Sequence, residues 1–458
     1  MAQTTRSGLP HVVIVGGGFG GISAMRTLGN KAVRVTLVDR NNYHGFWPLL
    51  YQVATGGLDS ASVATPIRKL IKPYRKNVDF QLANVTGVDY EKKQVLVEVG
   101  EPIPYDFLIV AAGSAQFYFG NDALNDSTFS MKDVDEAEQI RNQVLTAFEK
   151  ANRETDPIKK KALMTVAIVG GGPTGVELAG AYSELFRNDF RNDFPNLDMK
   201  DAKIVMIEAM SKILLPFSTP GAKPTDPPNP IQRSVQTTLE RKGVSILLNK
   251  PVDSVKDGTI SFKDGDKLLA ETVIWAAGVR GALLGDKLGV KLQRGMRVPV
   301  NEYLQMEGQP DVFVIGDMAY LEGFKWGSMT MAYPQVAQVA IQMGKQAAKN
   351  IIVLASGASG GGLTPFSYYD KGSMAIVGKG AAIVTASKPV KIKIPSTFPL
   401  SWVGWFMWLF VHLQFLEGWH NRWVAMFNWT WNLFTSDHGA RALTGTKDRK
   451  TEQLEATP

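Results

Sequence analysis

Two short stretches constrain the fold of this chain more than any other feature, because each joins an apolar run to a cluster of glycines and then to a helical pattern. They are HVVIVGGGFGGISAM at residues 11–25 and TVAIVGGGPTGVELAG at residues 165–180. A strand that runs through a glycine turn into a helix is typical of a dinucleotide-binding βαβ unit. One such loop holds one dinucleotide, so the sequence predicts two dinucleotide sites.

The first stretch matches GxGxxG at Gly16, Gly18 and Gly21. A dinucleotide site needs a tight turn at the first glycine, no side chain where the pyrophosphate approaches, and close helix packing at the third. The helix N-terminus then offers N–H groups to the phosphates. The next predicted strand, VRVTLVDR, ends on Asp39, which is placed to accept hydrogen bonds from a ribose. The alternative, a turn that needs glycine for its backbone alone, leaves this acid unexplained.

The second stretch repeats the pattern at Gly170, Gly172 and Gly175, and its second strand, KIVMIEA, ends on Glu208. This acid comes later than usual because FRNDFRNDFPNLDMKD, in which RNDF occurs twice, is inserted between helix and strand. A carboxylate here binds the 2′-hydroxyl of a ribose and repels a 2′-phosphate, which favours NADH over NADPH.

Three further apolar runs complete the two predicted sheets. YDFLIVAAGS at residues 105–114 and ETVIWAAGVR at residues 271–280 each end in Ala-Ala-Gly, and DVFVIGDMA at residues 311–319 ends in Gly-Asp. The order of motifs indicates that one nucleotide-binding domain is inserted in another. PFSTPGAKPTDPPNP at residues 216–230 is predicted to be a stiff surface loop, with no chemistry assigned to it.

Composition narrows the classes of function. Cysteine is absent from the 458 residues, which excludes a disulfide framework, thiolate-held metals and any cysteine redox relay. The five histidines form no HxxxH or HExxH pair, so we expect no metal site. The net charge of +7 comes from basic residues spread along the chain, so we expect no nucleic-acid partner. The first ten residues have no apolar core and do not fit a signal peptide, which favours a cytoplasmic location.

Two more segments, NNYHGFWPLLYQVATGGLD at residues 41–59 and PQVAQVAIQMGK at residues 334–345, closely resemble the type II NADH:quinone oxidoreductases. These are flavoproteins with two dinucleotide-binding domains, and the resemblance covers roughly residues 10–440. It implies an α/β, glutathione-reductase-like fold of two Rossmann-like domains, with non-covalent FAD in the first loop and NADH as substrate in the second. Disulfide reductases, NADH peroxidases and sulfide:quinone reductases of this fold use cysteines, which this chain lacks.

The resemblance assigns binding residues position by position. Those implied for FAD are Gly16, Gly18, Phe19, Gly20, Gly21, Asp39, Arg40, Ala112, Gly113, Asp317, Ala337 and Gln338. Those implied for the nicotinamide nucleotide are Gly170, Gly172, Pro173, Thr174, Gly175, Glu177, Glu208, Ala277 and Gly278.

The resemblance also implies four catalytic positions. Gln338 and Gln342 share one helix face under the flavin and line the quinone pocket; the alternative is two exposed glutamines on an ordinary helix. Pro334 is predicted in the first turn of that helix. Glu177 would orient NADH or relay protons, or else it is an acid that complements the helix dipole. His44 would donate a proton to quinone, or else it is a packed loop histidine.

The composition changes at Pro399, after which PLSWVGWFMWLFVHLQFLEGWHNRWVAMFNWTWNLF holds most of the tryptophans. The apolar run 400–416 is near the minimum length for crossing a bilayer, but polar residues interrupt it. In the following part, one predicted helix face carries Trp419, Trp423, Phe427 and Phe434, and another carries His420, Asn421, Asn428 and Asn432. This pattern favours a helix lying among lipid headgroups, the alternative being a dimer interface. Attraction to anionic lipid is predicted for Lys379, Lys388, Lys391 and Lys393.

Together these features predict a non-proton-pumping respiratory NADH:quinone oxidoreductase. It would pass hydride from NADH to FAD and two electrons on to menaquinone or ubiquinone, as a homodimer bound to the cytoplasmic face of the membrane through its C-terminal helices. The predicted domains are residues 1–118 and 299–375 for FAD, 119–298 for NADH and 376–458 for membrane association. The alternatives are a soluble NADH-dependent flavin or ferredoxin reductase, and an NADH-sensing scaffold.

Overall fold

The computed structural model describes residues 8–357, 362–386, 392–435 and 437–444. The chain forms two compact units. The first comprises Met1–Gly45, Thr65–Gln116 and Val279–Asp370, and the second comprises Phe46–Ala64, Phe117–Gly278 and Lys371–Pro458. The predicted domain boundaries stay predictions; the structural units divide the chain at other residues, with residues 46–64 and 371–458 grouped with the middle of the chain.

The first unit is built on a sheet whose strands are short runs of β-branched and other apolar residues. In spatial order the strands are Gln305–Met306, Gln309–Val314, Phe107–Val110, His11–Val15, Arg34–Asp39 and Val78–Leu82. All neighbours pair in parallel except the edge strand Gln305–Met306, which is antiparallel. The carboxyl ends of parallel strands meet at one edge, where the loops of a nucleotide site gather.

Two helices of the first unit, Phe19–Leu28 and Ala337–Ala355, pack together at small residues. A Cβ added at Gly344 would lie 2.2 Å from the carbonyl oxygen of Gly20. The hydroxyl of Ser23 donates to the carbonyl oxygen of Ile341 across 2.9 Å. This close approach fixes the glutamine-containing helix against the helix that follows the first glycine loop.

The second unit contains a fully parallel sheet with strands in the order Val244–Leu247, Lys203–Ile207, Thr165–Val169 and Thr272–Trp275. Before residue 371, its longer helices are Val134–Arg153, Pro157–Leu163, Pro173–Glu184 and Pro230–Arg241. In sequence, these strands fall between Phe107–Val110 and Gln305–Met306 of the first sheet. The predicted α/β class, with one Rossmann-like domain inserted in another, is confirmed.

The inserted RNDF repeat extends the Pro173–Glu184 helix through a π-helical turn, Leu185–Phe190, and a short helix, Arg191–Asp193. Its phenylalanines pack around Phe148, with ring centroids of Phe186 and Phe190 at 4.9 and 4.5 Å. The repeat therefore adds an apolar cluster, and it accounts for the distance in sequence between the second glycine loop and Glu208.

Shorter elements complete the chain. The remaining strands before residue 371 are Tyr43–Gly45, Ala64–Pro66, Val85–Asp89, Gln94–Val97, Ile103–Pro104, Ser114–Gln116, Val252–Lys256, Thr259–Phe262, Lys267–Leu269, Val279–Gly281, Val298–Pro299, Ala319–Tyr320, Glu322–Trp326 and Met329–Ala332. The remaining helices and helical turns are Trp47–Leu49, Leu50–Ala54, Ser60–Val63, Ile67–Leu70, Lys72–Tyr74, Ala123–Ser127, Leu215–Phe217, Leu283–Lys287 and Gly316–Met318.

The C-terminal part of the second unit has a small antiparallel sheet followed by two helices. The strands are Ser373–Ile376, Ala382–Ala386 and Ile392–Ile394, and the helices are Leu400–Phe415 and Trp419–Thr435. We refer to these two helices as the tail helices. Among the described residues, no helix combines the length and apolar character needed to cross a membrane.

Candidate functional site

The first glycine loop uses its three motif glycines in different ways. Gly16 has a φ of 107°, and a Cβ there would lie 2.3 Å from the carbonyl oxygen of Ala111. A Cβ at Gly21 would lie 1.8 Å from the carbonyl oxygen of Gly16, so the turn and the helix contact both require glycine. Beyond its chain neighbours, a Cβ at Gly18 would meet none of the described atoms within 4 Å. The space before the helix N-terminus is therefore open at the position that a pyrophosphate occupies in such a loop.

The second glycine loop repeats this geometry. Gly170 has a φ of 117°, and a Cβ there would lie 2.8 Å from the backbone nitrogen of Ala277. A Cβ at Gly175 would lie 2.0 Å from the carbonyl oxygen of Gly170, whereas at Gly172 it would meet no described atom within 4 Å except its neighbours. Pro173 begins the following helix, and Thr174 lies in its first turn. The duplicated sequence pattern is thus a duplicated structure.

Each loop is tied to the acid at the end of its second strand. The N–H of Gly17 donates to the carboxylate of Asp39, which also accepts from the N–H of Asn41 across 2.7 Å. Likewise, Glu208 accepts from the N–H of Gly171 at 2.8 Å and from that of Met210 at 2.9 Å. Burial raises the pKa of Asp39, and its hydrogen bonds oppose this shift. The exposed Arg40 also opposes it.

Gly17 and Gly171 lie between the first two motif glycines of their loops. Their carbonyl oxygens also accept hydrogen bonds, from different donors. In the first loop, Nδ1 of His44 lies 2.8 Å from the carbonyl oxygen of Gly17. In the second, the backbone N–H of Leu214 donates to the carbonyl oxygen of Gly171 across 2.7 Å. The sequence offered no local signal for either contact, because the partners lie far apart along the chain.

His44 is only 2% exposed, and its ring meets that of Phe19 edge to face at 5.2 Å. The ring is packed in the loop, and its Nδ1 bonds to the segment that is expected to hold FAD. The role of His44 as a proton donor to quinone stays a prediction.

A glycine with a positive φ follows each of the three strands that were predicted to end in Ala-Ala-Gly or Gly-Asp. Gly113 and Gly278, which follow Ala112 and Ala277, have φ values of 76° and 75°. The late Gly-Asp lies in the Gly316–Met318 turn, where Gly316 has a φ of 69° and Asp317 is half-buried. These segments lie at the carboxyl ends of the strands that precede them.

The two glutamines lie on the Ala337–Ala355 helix, as predicted, together with Ala337. The amide of Gln342 is paired with the backbone of Tyr369, donating to its carbonyl oxygen at 3.0 Å and accepting from its N–H at 2.9 Å. Gln338, one turn earlier, is half-buried. The predicted position of Pro334 is wrong: the helix begins at Ala337, after an extended Val336, because residues 334–336 form a turn before it.

Glu177 lies in the Pro173–Glu184 helix and is half-buried. Loss of solvation raises the pKa of Glu177 to about 8, although the backbone N–H of Ile376 and the side chain of Trp408 act in the opposite direction. The Ile376 N–H lies 3.4 Å from the carboxylate. Glu177 in turn helps to raise the pKa of Tyr51, for which burial is the larger cause. A pKa of about 8 favours the protonated form of Glu177 at neutral pH.

Two aromatic residues near Glu177 were not singled out from the sequence. Tyr51 and Trp408 are buried and meet at a centroid distance of 6.2 Å, and the ring of His412 stacks on Trp408 at 3.7 Å. Burial lowers the pKa of His412 to about 4, so this ring is neutral. The carboxyl group of Glu177 therefore has two buried aromatic neighbours, which limit its solvation.

The Trp419–Thr435 helix presents its aromatic face outward. Trp423 and Phe427 are 62% and 66% exposed, whereas Asn421 is buried and donates to the carbonyl oxygen of Ala64 across 3.1 Å. Large apolar side chains are also exposed on the preceding segment, at Phe398, Leu400, Val403, Phe406 and Phe410. We call the outward side of the tail helices, which carries Phe406, Phe410, Trp423 and Phe427, the aromatic face. A helix that packs on a protein core in water has its apolar side chains turned inward, which is the opposite arrangement.

The predicted lysines of this region differ in placement. The ammonium of Lys379 donates to the carbonyl oxygens of Asn432 and Leu433, at 3.1 and 2.8 Å, and so stabilises the end of a tail helix. Lys393 is exposed. Lys388 and Lys391 lie outside the described residues.

Comparison with known proteins gives one consistent result. The family model described as pyridine nucleotide-disulphide oxidoreductase matches residues 10–344. A type II NADH:quinone oxidoreductase from Mycobacterium tuberculosis, Ndh, is 36% identical over 95% of this chain and 90% of its own length. One from Haemophilus influenzae is 31% identical over 80% of this chain and 84% of its own length. The structure of NDH2 from Plasmodium falciparum in complex with NADH has a TM-score of 0.82 at 20% identity, covering 95% of this chain and all of that one.

Proposed function

Because the chain belongs to the type II NADH:quinone oxidoreductases, within the pyridine nucleotide-disulphide oxidoreductase family, we propose that its two glycine loops divide the reaction between them. The enzyme oxidises NADH and reduces a membrane quinone, such as menaquinone or ubiquinone, without pumping protons. The observation that carries the proposal of two dinucleotide sites is the matched geometry of the loops. Each loop has an open position at its second motif glycine, and an acid accepts from the N–H of the glycine before it, Gly17 or Gly171.

The first loop holds FAD. Its fit rests on the open position at Gly18, the N-terminus of the Phe19–Leu28 helix and the anchored carboxylate of Asp39. FAD supplies the capacity to accept a hydride and to pass on two electrons. Further contacts are assigned to Gly16, Gly20, Gly21, Arg40, Ala112, Gly113, Asp317, Ala337 and Gln338.

The second loop binds NADH. Gly172 faces open space before the Pro173–Glu184 helix, whose N-terminus favours the negative pyrophosphate. Glu208 is fixed by two backbone N–H groups beside the loop, so it accepts from a ribose hydroxyl and disfavours the phosphate of NADPH. The remaining contacts are assigned to Gly170, Thr174, Gly175, Ala277 and Gly278.

Glu177 supplies a proton to the reaction. Reduction of a quinone to a quinol consumes two protons, and a carboxyl group with a pKa of about 8 is protonated at neutral pH yet able to release its proton. The buried side chains of Tyr51 and Trp408 beside it limit the solvation of the carboxylate and so favour the protonated form.

Gln338 contacts the quinone or the flavin edge from the Ala337–Ala355 helix, since its amide offers both a donor and an acceptor. Gln342, whose amide is paired with the backbone of Tyr369, acts by holding that segment in place.

The aromatic face lies in the headgroup region of the membrane, on its cytoplasmic side. Exposed Trp423 and Phe427 would leave water there, and the ring N–H of tryptophan suits the interface. A homodimer is part of the same proposal, and sedimentation of the detergent-solubilised protein tests it.

Flavin absorbance of the purified protein tests the reaction. Under anaerobic conditions, NADH should bleach the flavin bands and a short-chain quinone should restore them rapidly. Bleaching without recovery would favour the soluble reductase or the NADH-sensing scaffold, and protein without flavin would contradict the proposal.

A further inference from the structure

The segment that follows Glu208 contains a strained residue in contact with the second glycine loop. Leu214 is fully buried and adopts the left-handed conformation, with φ 55° and ψ 48°. A bulky side chain disfavours this conformation, so the surrounding structure must hold it, and such strain is often found at functional sites.

The strained residue is held by hydrogen bonds on both sides. Its N–H donates to the carbonyl oxygen of Gly171 at 2.7 Å. Its own carbonyl oxygen accepts from the side-chain amide of Gln232 at 3.1 Å, and the same amide donates to the carbonyl oxygen of Ile213 at 3.0 Å. Gln232 is 1% exposed, and its side-chain oxygen accepts from the N–H of Asn229 at 2.9 Å, so both ends of the amide are used.

A buried lysine ties the proline-rich loop to the same segment. The side chain of Lys212 is almost fully buried, and its ammonium donates to the carbonyl oxygens of Lys223 and Asp226 at 3.1 and 2.7 Å. The hydroxyl of Ser211 donates to the carbonyl oxygen of Pro224 at 3.3 Å. The loop of residues 216–230 is therefore fastened to the residues that contact the second glycine loop.

The contact with Gly171 controls the direction of a neighbouring donor. The carbonyl of Gly171 and the N–H of Gly172 belong to one planar trans peptide, in which they point in opposite directions. When Leu214 holds the carbonyl on one side, the N–H of Gly172 must point to the other. That N–H belongs to the residue with open space before it, where the pyrophosphate of NADH is expected.

We propose that residues 209–232 form a clamp that orients the Gly171–Gly172 peptide, and that Gln232 and Lys212 are positioning residues which set the affinity for NADH. This inference rests on the proposed function, since it places NADH at the second glycine loop. It gives the proline-rich loop a role in coenzyme binding. Neither residue is placed to contact NADH: Gln232 acts through Leu214, and Lys212 acts through the proline-rich loop that it ties to the same segment.

The test replaces Gln232 and Lys212 separately with Met, which keeps the length of each side chain and removes its donors. The matched control is Gln236→Met, one turn later on the same helix, where the amide donates only to the exposed Glu240 in the described contacts. Steady-state kinetics with NADH and a short-chain quinone are combined with the inhibition constant of NAD⁺ and with the flavin content of each variant.

We expect Gln232→Met and Lys212→Met to raise the KM for NADH and the inhibition constant of NAD⁺ about tenfold, as the loss of one or two buried hydrogen bonds implies. The kcat, the KM for quinone and the flavin content should stay close to those of Gln236→Met. General destabilisation would change these quantities together with the NADH and NAD⁺ constants. If Gln232→Met loses flavin, the NADH and NAD⁺ constants of Lys212→Met decide whether the clamp holds. Unchanged NADH and NAD⁺ constants in flavin-containing variants would overturn the clamp.

A further variant, Gly172→Glu, separates this inference from the proposed function. If Gly172→Glu abolishes reduction by NADH while the clamp variants behave as the control, only the clamp is wrong. If NADH still reduces Gly172→Glu normally, the placement of NADH at the second loop is wrong, and the clamp is wrong with it.

Discussion

The imidazole of His44 donates from Nδ1 to the carbonyl oxygen of Gly17 across 2.8 Å, since a carbonyl can only accept. By the planarity of the peptide, this bond directs the N–H of Gly18 to the opposite side, toward the open position of the first loop. The backbone of Leu214 performs the same task in the second loop, where it holds the carbonyl of Gly171. The two loops thus share a pattern of support as well as a motif.

This relationship predicts that His44→Ala weakens flavin binding. The carbonyl of Gly17 would lose its buried donor, and we expect FAD to dissociate about tenfold more readily. The measurement is flavin retained per protein during dialysis. His11→Ala, which removes another buried histidine of the same unit without touching the loop, should retain flavin. Unchanged flavin affinity in His44→Ala, together with slower quinone reduction, would instead favour the proton-donor role.

A second prediction concerns stability and Glu177. Its folded pKa, about 8, lies above the ordinary value of 4.5 for a glutamate, so between these values Glu177 binds more protons in the folded protein than in the unfolded chain. The contribution of Glu177 to stability therefore falls as the pH rises from about 4.5 to about 8. Glu177→Gln should remove on the order of 3 to 5 kcal/mol of this pH dependence. Unfolding in urea at pH 5, 7 and 9 measures it, with the exposed Glu240→Gln as control.

Turnover should respond to the same group. If Glu177 supplies a proton, quinone reduction by the wild type declines as the pH rises above about 8, because the carboxyl group is then ionised. Glu177→Gln should turn over more slowly and lack this decline. If quinone reduction by Glu177→Gln shows the same decline at high pH as the wild type, the decline comes from the ionisation of another group.

A third prediction concerns coenzyme choice. Glu208→Gln removes the charge beside the second loop, so the ratio of kcat/KM for NADPH to that for NADH should rise about tenfold or more. Asp39→Asn, the matching change at the first loop, should lower flavin retention and leave that ratio unchanged. A ratio that rises in Asp39→Asn but not in Glu208→Gln would exchange the roles assigned to the two loops.

The glycine loops illustrate what the sequence can predict. Local spacing encodes a strand, a turn and a helix, so the sequence predicted both glycine turns and placed Asp39 and Glu208 after the second strand of each unit. The hydrogen bonds that hold the loops were not predicted, because His44 bonds to Gly17, and Gln232 to Leu214, between residues distant in sequence. Nor does a local pattern reveal that Tyr51 and Trp408 surround Glu177.

The tail helices illustrate the same limit. The two faces of the Trp419–Thr435 helix were visible in the sequence, but periodicity alone does not say which face meets the protein. The buried Asn421 bonds to Ala64, and so the aromatic side is the outer one. Lys379 was expected to attract lipid, but its ammonium is bonded to the end of the helix.

A fourth prediction follows for the aromatic face. Replacing Trp423 and Phe427 together with Gln should reduce flotation of the protein with liposomes, while the melting temperature changes little because both side chains are exposed. Thr430→Gln, an exposed polar change on the same helix, is the control. Unchanged flotation, with a dimer that now dissociates, would assign the aromatic face to a subunit interface.

The central claim, that the first loop serves FAD and the second NADH, is tested most directly by placing one obstruction in each. Gly18 and Gly172 have nearly identical backbones, with φ of −73° and −74°, and open space ahead of them, so either should accept Glu without strain. We predict that Gly18→Glu is purified without flavin. Gly172→Glu should keep its flavin, fail to bleach with NADH, bleach with dithionite, and recover with quinone. Normal bleaching of Gly172→Glu by NADH, or full flavin content in Gly18→Glu, would contradict this account.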